Sequence, residues 1–202
     1  MNEFQEEVLV GHLLGDGCLY PSKSSGIACL KVEQSLKQKE FVIWLFEVFK
    51  DFIRTFPKEK HYMVSTVKSV FPKNSYYFNT LSFKSFYTFY KMFYKARKKI
   101  IPRNIDQLLT PLSLSVWFMG DGSIKSKECN GRILNTHGFT EIEVSRLCQI
   151  LNQKFNLLTS IRKQKDGMQI YISAKSARVL FDLVSPHILP YFRYKLPNVK
   201  LA

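Results

Sequence analysis

Two aspartates occupy matched settings half a chain apart. Asp16 closes the run Leu9-Val10-Gly11-His12-Leu13-Leu14-Gly15 and precedes Gly17, while Asp121 closes Leu114-Ser115-Val116-Trp117-Phe118-Met119-Gly120 and precedes Gly122. The second follows the first by 105 positions in a chain of 202. Apolar residues recur at helical spacing before each, through Phe4, Val8, Gly11 and Leu14 and through Leu112, Val116 and Met119. A helix C-terminus carries partial negative charge and disfavours a carboxylate there by up to about 1 kcal/mol. Two carboxylates so placed predict a positive partner for each, most simply a divalent metal ion. The plainer alternative is a pair of ordinary Asp-Gly turns.

The elements that must position these aspartates also come in pairs. Gly11 and Gly15 stand one turn apart, and Ser115 and Gly120 are small, so the two helices are expected to pack closely and end side by side. His12 and the acids Glu3, Glu6, Glu7 and Asp16 exclude a membrane span, which needs about 20 apolar residues. A polar, strand-like stretch follows each run, then helical patterns at Lys39 to Phe52 and Thr140 to Phe155. Hairpin-like regions end at Tyr77-Phe78-Asn79-Thr80-Leu81 and at Gln169-Ile170-Tyr171-Ile172. Ser82-Phe83-Lys84-Ser85 and Ser173-Ala174-Lys175-Ser176 then open a further helix in each half, and Lys99-Ile100-Ile101-Pro102-Arg103-Asn104 is echoed by Lys195-Leu196-Pro197-Asn198. This order predicts two similar halves, 1–104 and 105–202, related by a pseudo-twofold axis.

Lys+Arg total 30 against 16 Asp+Glu, a net charge of +14 with pI near 9.6, which favours a polyanionic partner. A hydrophobic fraction of 46% with 17 Phe excludes a basic disordered tail. Strand alternation sets Leu30 and Val32 against Lys31 and Glu33, and Gln169 and Tyr171 against Met168, Ile170 and Ile172. A sheet with one face on helices and one polar face is expected. Donors crowd the strands and their connections: Lys23, Lys31, Lys60, Lys68, Lys73, Lys125, Lys127, Arg162, Lys163, Gln164, Lys165 and Gln169. Two-stranded ribbons carrying such residues fit the major groove of DNA. Cys18, Cys29, Cys129 and Cys148 lack zinc spacing, and the four histidines form no helical metal pair. The acidic start Met1-Asn2-Glu3-Phe4-Gln5-Glu6-Glu7 predicts no secretory signal and no Arg-rich transit peptide, as for a protein made inside an organelle or a prokaryotic cytoplasm.

These segments resemble the two motifs of the LAGLIDADG homing endonucleases in their single-chain form. Gly11 fits the third motif position and Val116 does not, while Leu14 and Met119 replace the first acidic position and Asp16 and Asp121 keep the second. The likeness runs from about Glu6 to Asn198, and its second half, from Thr110-Pro111-Leu112 to Pro197-Asn198, resembles the omega-type mitochondrial intron endonucleases.

That resemblance implies an α+β fold of two pseudo-symmetric αββαββα repeats. Their antiparallel sheets would form a saddle over DNA, with the motif helices packed at the interface. It implies a monomeric, intron-encoded endonuclease that cuts both strands of a long asymmetric double-stranded target and leaves short 3′ overhangs. Asp16 and Asp121 would hold Mg²⁺, or Mn²⁺ in its place, with help from the carbonyls of Gly15 and Gly120. Lys99 and Lys195 would complete the catalytic set. Expression would be organellar, in a mitochondrion or chloroplast. An RNA-binding intron maturase would need the basic surface without the carboxylates. A DNA-binding regulator without chemistry would be expected to lose one or both of them.

Overall fold

The sequence folds as two copies of an αββαββα pattern. The computed structural model describes residues 1–23, 26–65, 70–126 and 128–199. The first copy runs α1 (Glu3–Leu14), β1 (Cys18–Pro21), β2 (Ala28–Ser35), α2 (Lys39–Phe49), β3 (Lys58–Ser65), β4 (Val70–Asn79) and α3 (Lys84–Phe93). A small hairpin, β5 (Tyr94–Lys95) and β6 (Lys98–Lys99), and a short helix α4 (Ile105–Leu108) lead on. The second copy is α5 (Pro111–Asp121), β7 (Gly122–Ser126), β8 (Cys129–Asn135), α6 (Glu141–Phe155), β9 (Thr159–Gln164), β10 (Gly167–Ile172) and α7 (Ala177–Val184), with a 3-10 turn at Pro190–Lys195. Both sheets are antiparallel, and their strand orders match: β1-β2-β4-β3 and β7-β8-β10-β9. The expected α+β class and doubled repeat are what is observed.

The chain condenses into two compact units, and the units are not the sequence repeats. One comprises Asp16–Lys91 with Met1, and the other joins Asn2–Gly15 to Met92–Ala202. Helix α1 thus packs with the second half of the chain, against α5. A Cβ added at Gly11 would lie 2.2 Å from the Ser113 carbonyl oxygen and 2.7 Å from Val116 Cβ, so the glycine is what lets the two helices approach. Each helix starts on a capping box: Asn2 with Gln5 in α1, and Thr110 with Ser113 in α5, where Pro111 takes the first turn. The Thr110 hydroxyl also donates to the Glu7 carboxylate of α1.

In the first unit, β2 buries Ala28, Leu30 and Val32 at alternate positions beneath Phe41, Val42, Leu45 and Phe49 of α2. Aromatic edges fill the rest: Phe52 meets Phe83 at 5.1 Å and Phe86 at 5.3 Å between centroids. In the second unit, Val144, Leu147, Leu151 and Phe155 of α6 are buried, as are Leu134, Ile170 and Ile172 of the sheet. Among the described residues no helix is long and apolar enough to cross a membrane.

Candidate active site

The two motif helices end differently. Helix α5 includes Asp121 as its last residue and is capped by Gly122, whereas α1 stops at Leu14 with Gly15 as its cap, one residue before Asp16. Neither cap is left-handed; Gly122 sits at φ −72° and Gly15 at φ −102°. Close approach explains these glycines instead. A Cβ on Gly122 would lie 2.3 Å from the Phe118 carbonyl oxygen, and one on Gly15 would lie 2.3 Å from Asp121 Oδ2. The half-buried Asp121 carboxylate therefore rests against the bare backbone of Gly15.

The positive partners demanded by these helix ends are lysines. Lys99 Nζ donates to the Gly15 carbonyl at 2.7 Å, and Lys195 Nζ donates to the Met119 carbonyl at 2.6 Å. Unfilled carbonyls at a helix C-terminus favour a cation. Lys195 is only 5% exposed and lies over the Phe192 ring at 5.0 Å from its centroid. The Asn135 amide donates to the Asp121 carbonyl at 3.0 Å, and the Gln169 amide donates to Asn135 Oδ1 at 2.7 Å, linking the sheet to the helix end.

In the first unit, the exposed Asp16 accepts from Gln34 Nε2 at 3.1 Å through Oδ2. Gln34 is 7% exposed, on the face of β2 that buries Leu30 and Val32. A cleft of about 450 Å³ opens here, lined by Asp16, Gln34, Gln38, Tyr62 and Lys73 among others. Gln38 Oε1 is buried with no partner among the described residues.

Two groups show large electrostatic effects. Burial, with a lesser push from the Lys99 charge, lowers the His12 imidazole to about 3. Desolvation raises the Glu33 carboxyl, but bonds from Lys31, Ser75 and Lys60 outweigh it and hold the value at about 2. Those contacts measure 2.9, 2.8 and 3.3 Å.

The proposed donors fall into two groups. In the first unit, Lys31 and Lys60 meet at Glu33 on the outward sheet face, Lys73 stands by Asp16 in the cleft, and Lys23 is exposed beyond β1. In the second, Arg162 pairs in register with Gln169, and Lys125 lies over the Tyr171 ring at 4.9 Å. Gln164 and Lys165 are exposed at the β9–β10 turn, whereas Lys163 has the other strand parity and pairs with Glu141 of α6 at 3.2 Å. Lys68 and Lys127 lie outside the described residues. Sequence reasoning missed Gln34, Asn135 and Gln38. Gln34 did leave a signal, a polar residue continuing the buried parity of β2.

Among the described residues no three His, Cys, Asp or Glu side chains converge. Each motif end instead offers one carboxylate and nearby carbonyls. An all-oxygen set this small fits Mg²⁺ or Mn²⁺, hard ions for which water completes the coordination.

The sequence pattern of the LAGLIDADG DNA endonuclease family matches residues 6–180. The chain is 31% identical over 204 residues to the probable intron-encoded endonuclease 1 of Wickerhamomyces canadensis, covering 97% of this chain and 85% of that protein. It is 28% identical to the cytochrome b mRNA maturase bI2 of Debaryomyces hansenii, covering 95% and 73%. Its fold is similar to that of the homing endonuclease I-WcaI bound to its DNA recognition sequence, with a TM-score of 0.86 and 30% identity over 98% of this chain and 88% of that one.

Proposed function

The chain belongs to the LAGLIDADG DNA endonuclease family, and we propose that it is an intron-encoded homing endonuclease using Mg²⁺, or Mn²⁺ in its place. It hydrolyses both strands of a long asymmetric duplex and leaves short 3′ overhangs. Repeats 1–104 and 105–202 each supply one site, within a monomer made in an organelle.

The single observation that carries this reading is the pair of motif aspartates, each following a helix-end carbonyl that accepts a lysine ammonium. Asp16 and Asp121 would each hold a metal ion, with the carbonyls of Gly15 and Gly120 respectively beside them. The chemistry such an ion would supply there is polarisation of the scissile phosphate and a more acidic water. Gln34 orients the Asp16 carboxylate through its 3.1 Å bond. Lys99 and Lys195 supply positive charge where the phosphorane becomes more negative. Lys23, Lys31, Lys60, Lys68, Lys73, Lys125, Lys127, Arg162, Lys165 and the amides of Gln164 and Gln169 engage phosphates and base edges, whereas Lys163 pairs with Glu141.

Supercoiled plasmid bearing the target, incubated with Mg²⁺, tests the assignment. Wild type should linearise it, and Asp16→Asn and Asp121→Asn should each lose double-strand cutting. Full cutting by either variant would reject the metal-ligand roles. The maturase relative favours a second activity, assistance to splicing of the host intron RNA. Splicing in vitro with and without the protein decides it.

A further inference from the structure

Arg132 is a cation buried in the second unit, 3% exposed, and no carboxylate pairs with it among the described residues. Burying an uncompensated guanidinium is costly, so its hydrogen bonds must carry the compensation. They go to four backbone carbonyls. Nη1 donates to Gly131 at 3.0 Å and Cys129 at 3.3 Å, both on its own strand β8. Nε donates to Lys195 at 2.6 Å, and Nη2 donates to Leu196. One planar side chain thus staples the segment carrying Lys195 onto the sheet beside Asp121.

The same segment is also anchored by the buried Phe192 ring and by the Leu189 amide, which donates to Met119 Sδ. Lys195 ends the 3-10 turn Pro190–Lys195, which belongs to neither sheet. Beyond it, Asn198 exchanges bonds of 2.8 and 3.1 Å with Asn130. Lys99 is secured differently. It lies in β6, and the residues after it are held from α6, where Glu143 accepts from the Ile101 amide at 2.9 Å and Arg146 donates to the Ile101 and Pro102 carbonyls. None of Arg132's bonds reaches the Lys99 segment.

We propose that Arg132 is a positioning residue for Lys195, so that its loss disables cleavage of one DNA strand and turns a double-strand cutter into a nickase. The proposal rests on the reading above, in which each aspartate and its lysine serve one strand. Arg132 acts on the substrate only through Lys195. It fixes the backbone from which the Lys195 ammonium is presented, and a shift near 1 Å in such a group costs on the order of a hundredfold in rate.

The test is single-turnover cleavage of a duplex target labelled separately on each strand, with Mg²⁺, for full-length wild type, Lys195→Met, Arg132→Met and Arg132→Lys. DNA affinity and thermal stability are measured alongside. Arg132→Met should slow one strand on the order of tenfold to a hundredfold, the same strand that Lys195→Met slows, with nicked product accumulating. Affinity and the rate on the other strand should stay within about twofold, and Arg132→Lys should recover part of the loss. Equal slowing of both strands, in step with lower affinity and melting temperature, would overturn the proposal, as would no slowing. If Arg132→Met does not fold, Arg132→Lys carries the same strand-bias criterion. If Lys195→Met itself slows both strands equally, the one-lysine-per-strand reading fails and this proposal with it. If Lys195→Met is selective and the Arg132 variants are not, only the proposal fails.

Discussion

The Lys99 ammonium lies 2.7 Å from the carbonyl oxygen of Gly15, the residue that caps α1 and immediately precedes Asp16. Lys195 repeats the arrangement at Met119, two residues before Asp121. Each lysine therefore does two electrostatic jobs: it offsets the negative helix end, and it keeps a positive charge beside a carboxylate-bearing turn.

Replacing either lysine by methionine keeps most of the apolar stem and removes the charge. Cleavage by Lys99→Met and by Lys195→Met should fall about a hundredfold, the scale for losing one donor to a developing charge. DNA affinity should change by no more than a few-fold. Single-turnover rates and filter binding separate the two effects; a pure affinity loss would assign these lysines to phosphate clamping.

Gln34 contributes an amide 3.1 Å from Asp16 Oδ2. Gln34→Glu places two like charges at that distance, and such a pair becomes fully ionised only at higher pH than a lone carboxylate. The acidic limb of the pH–rate profile should move upward by a unit or more, on the order of the shifts that close charges produce. Gln34→Leu should lower the rate without moving the limb. Superimposable profiles for Gln34→Glu and wild type would remove Gln34 from the site.

Acid should weaken the fold through His12. The imidazole titrates at about 3 in the folded chain against an ordinary 6.5. Between these values the unfolded chain binds a proton that the folded chain refuses. Stability is therefore complete above 6.5 and declines as pH drops toward 3. The slope from this group reaches at most about 1.4 kcal/mol per pH unit. Urea titrations from pH 7.5 to 5 should show the decline in wild type and a flatter line in His12→Gln. Glu33, depressed to about 2, begins to matter only below its ordinary 4.5.

Helix contact should be intolerant of a single methyl group. Gly11→Ala must push aside the Ser113 carbonyl, 2.2 Å from the added carbon, and should cost about 1–3 kcal/mol despite the better helix propensity of alanine. Gly138, where an added methyl would meet nothing within 4 Å, is the control. Its alanine variant should melt within a degree or two of wild type in a thermal scan, a neutral surface change.

Binding should weaken steeply with salt. Each phosphate neutralised by the basic sheet faces adds about −0.9 to the slope of log K against log salt. A slope close to zero, measured by anisotropy on target duplex, would contradict a basic binding surface.

Repetition makes the two motif helix ends and their lysines stand out among the residues of the chain. Asp16, Asp121, Lys99 and Lys195 each have a counterpart at the matching place in the other half, and strand alternation separates Leu30 and Val32 from Lys31 and Glu33. Partnerships over long sequence distance leave no such trace. Arg132 meets Lys195 across 63 positions, and nothing local distinguishes it from a surface arginine. Lys163 reads as another outward donor because the turn that sets its parity is invisible in composition. Gln34 is legible in principle, since alternation assigns it to the buried face, and a buried amide needs a partner.

Helix α1 packs in the compact unit formed by the second half of the chain. A gene cut between residues 104 and 105 would thus strand a helix: the downstream product would expose the side of α5 that Gly11 meets. Anyone recombining halves of such enzymes to retarget them should carry residues 2–15 and 92–104 along with the downstream half. One useful crossover lies at the doorstep of Asp16, where one short peptide link joins the borrowed helix to the sheet it introduces.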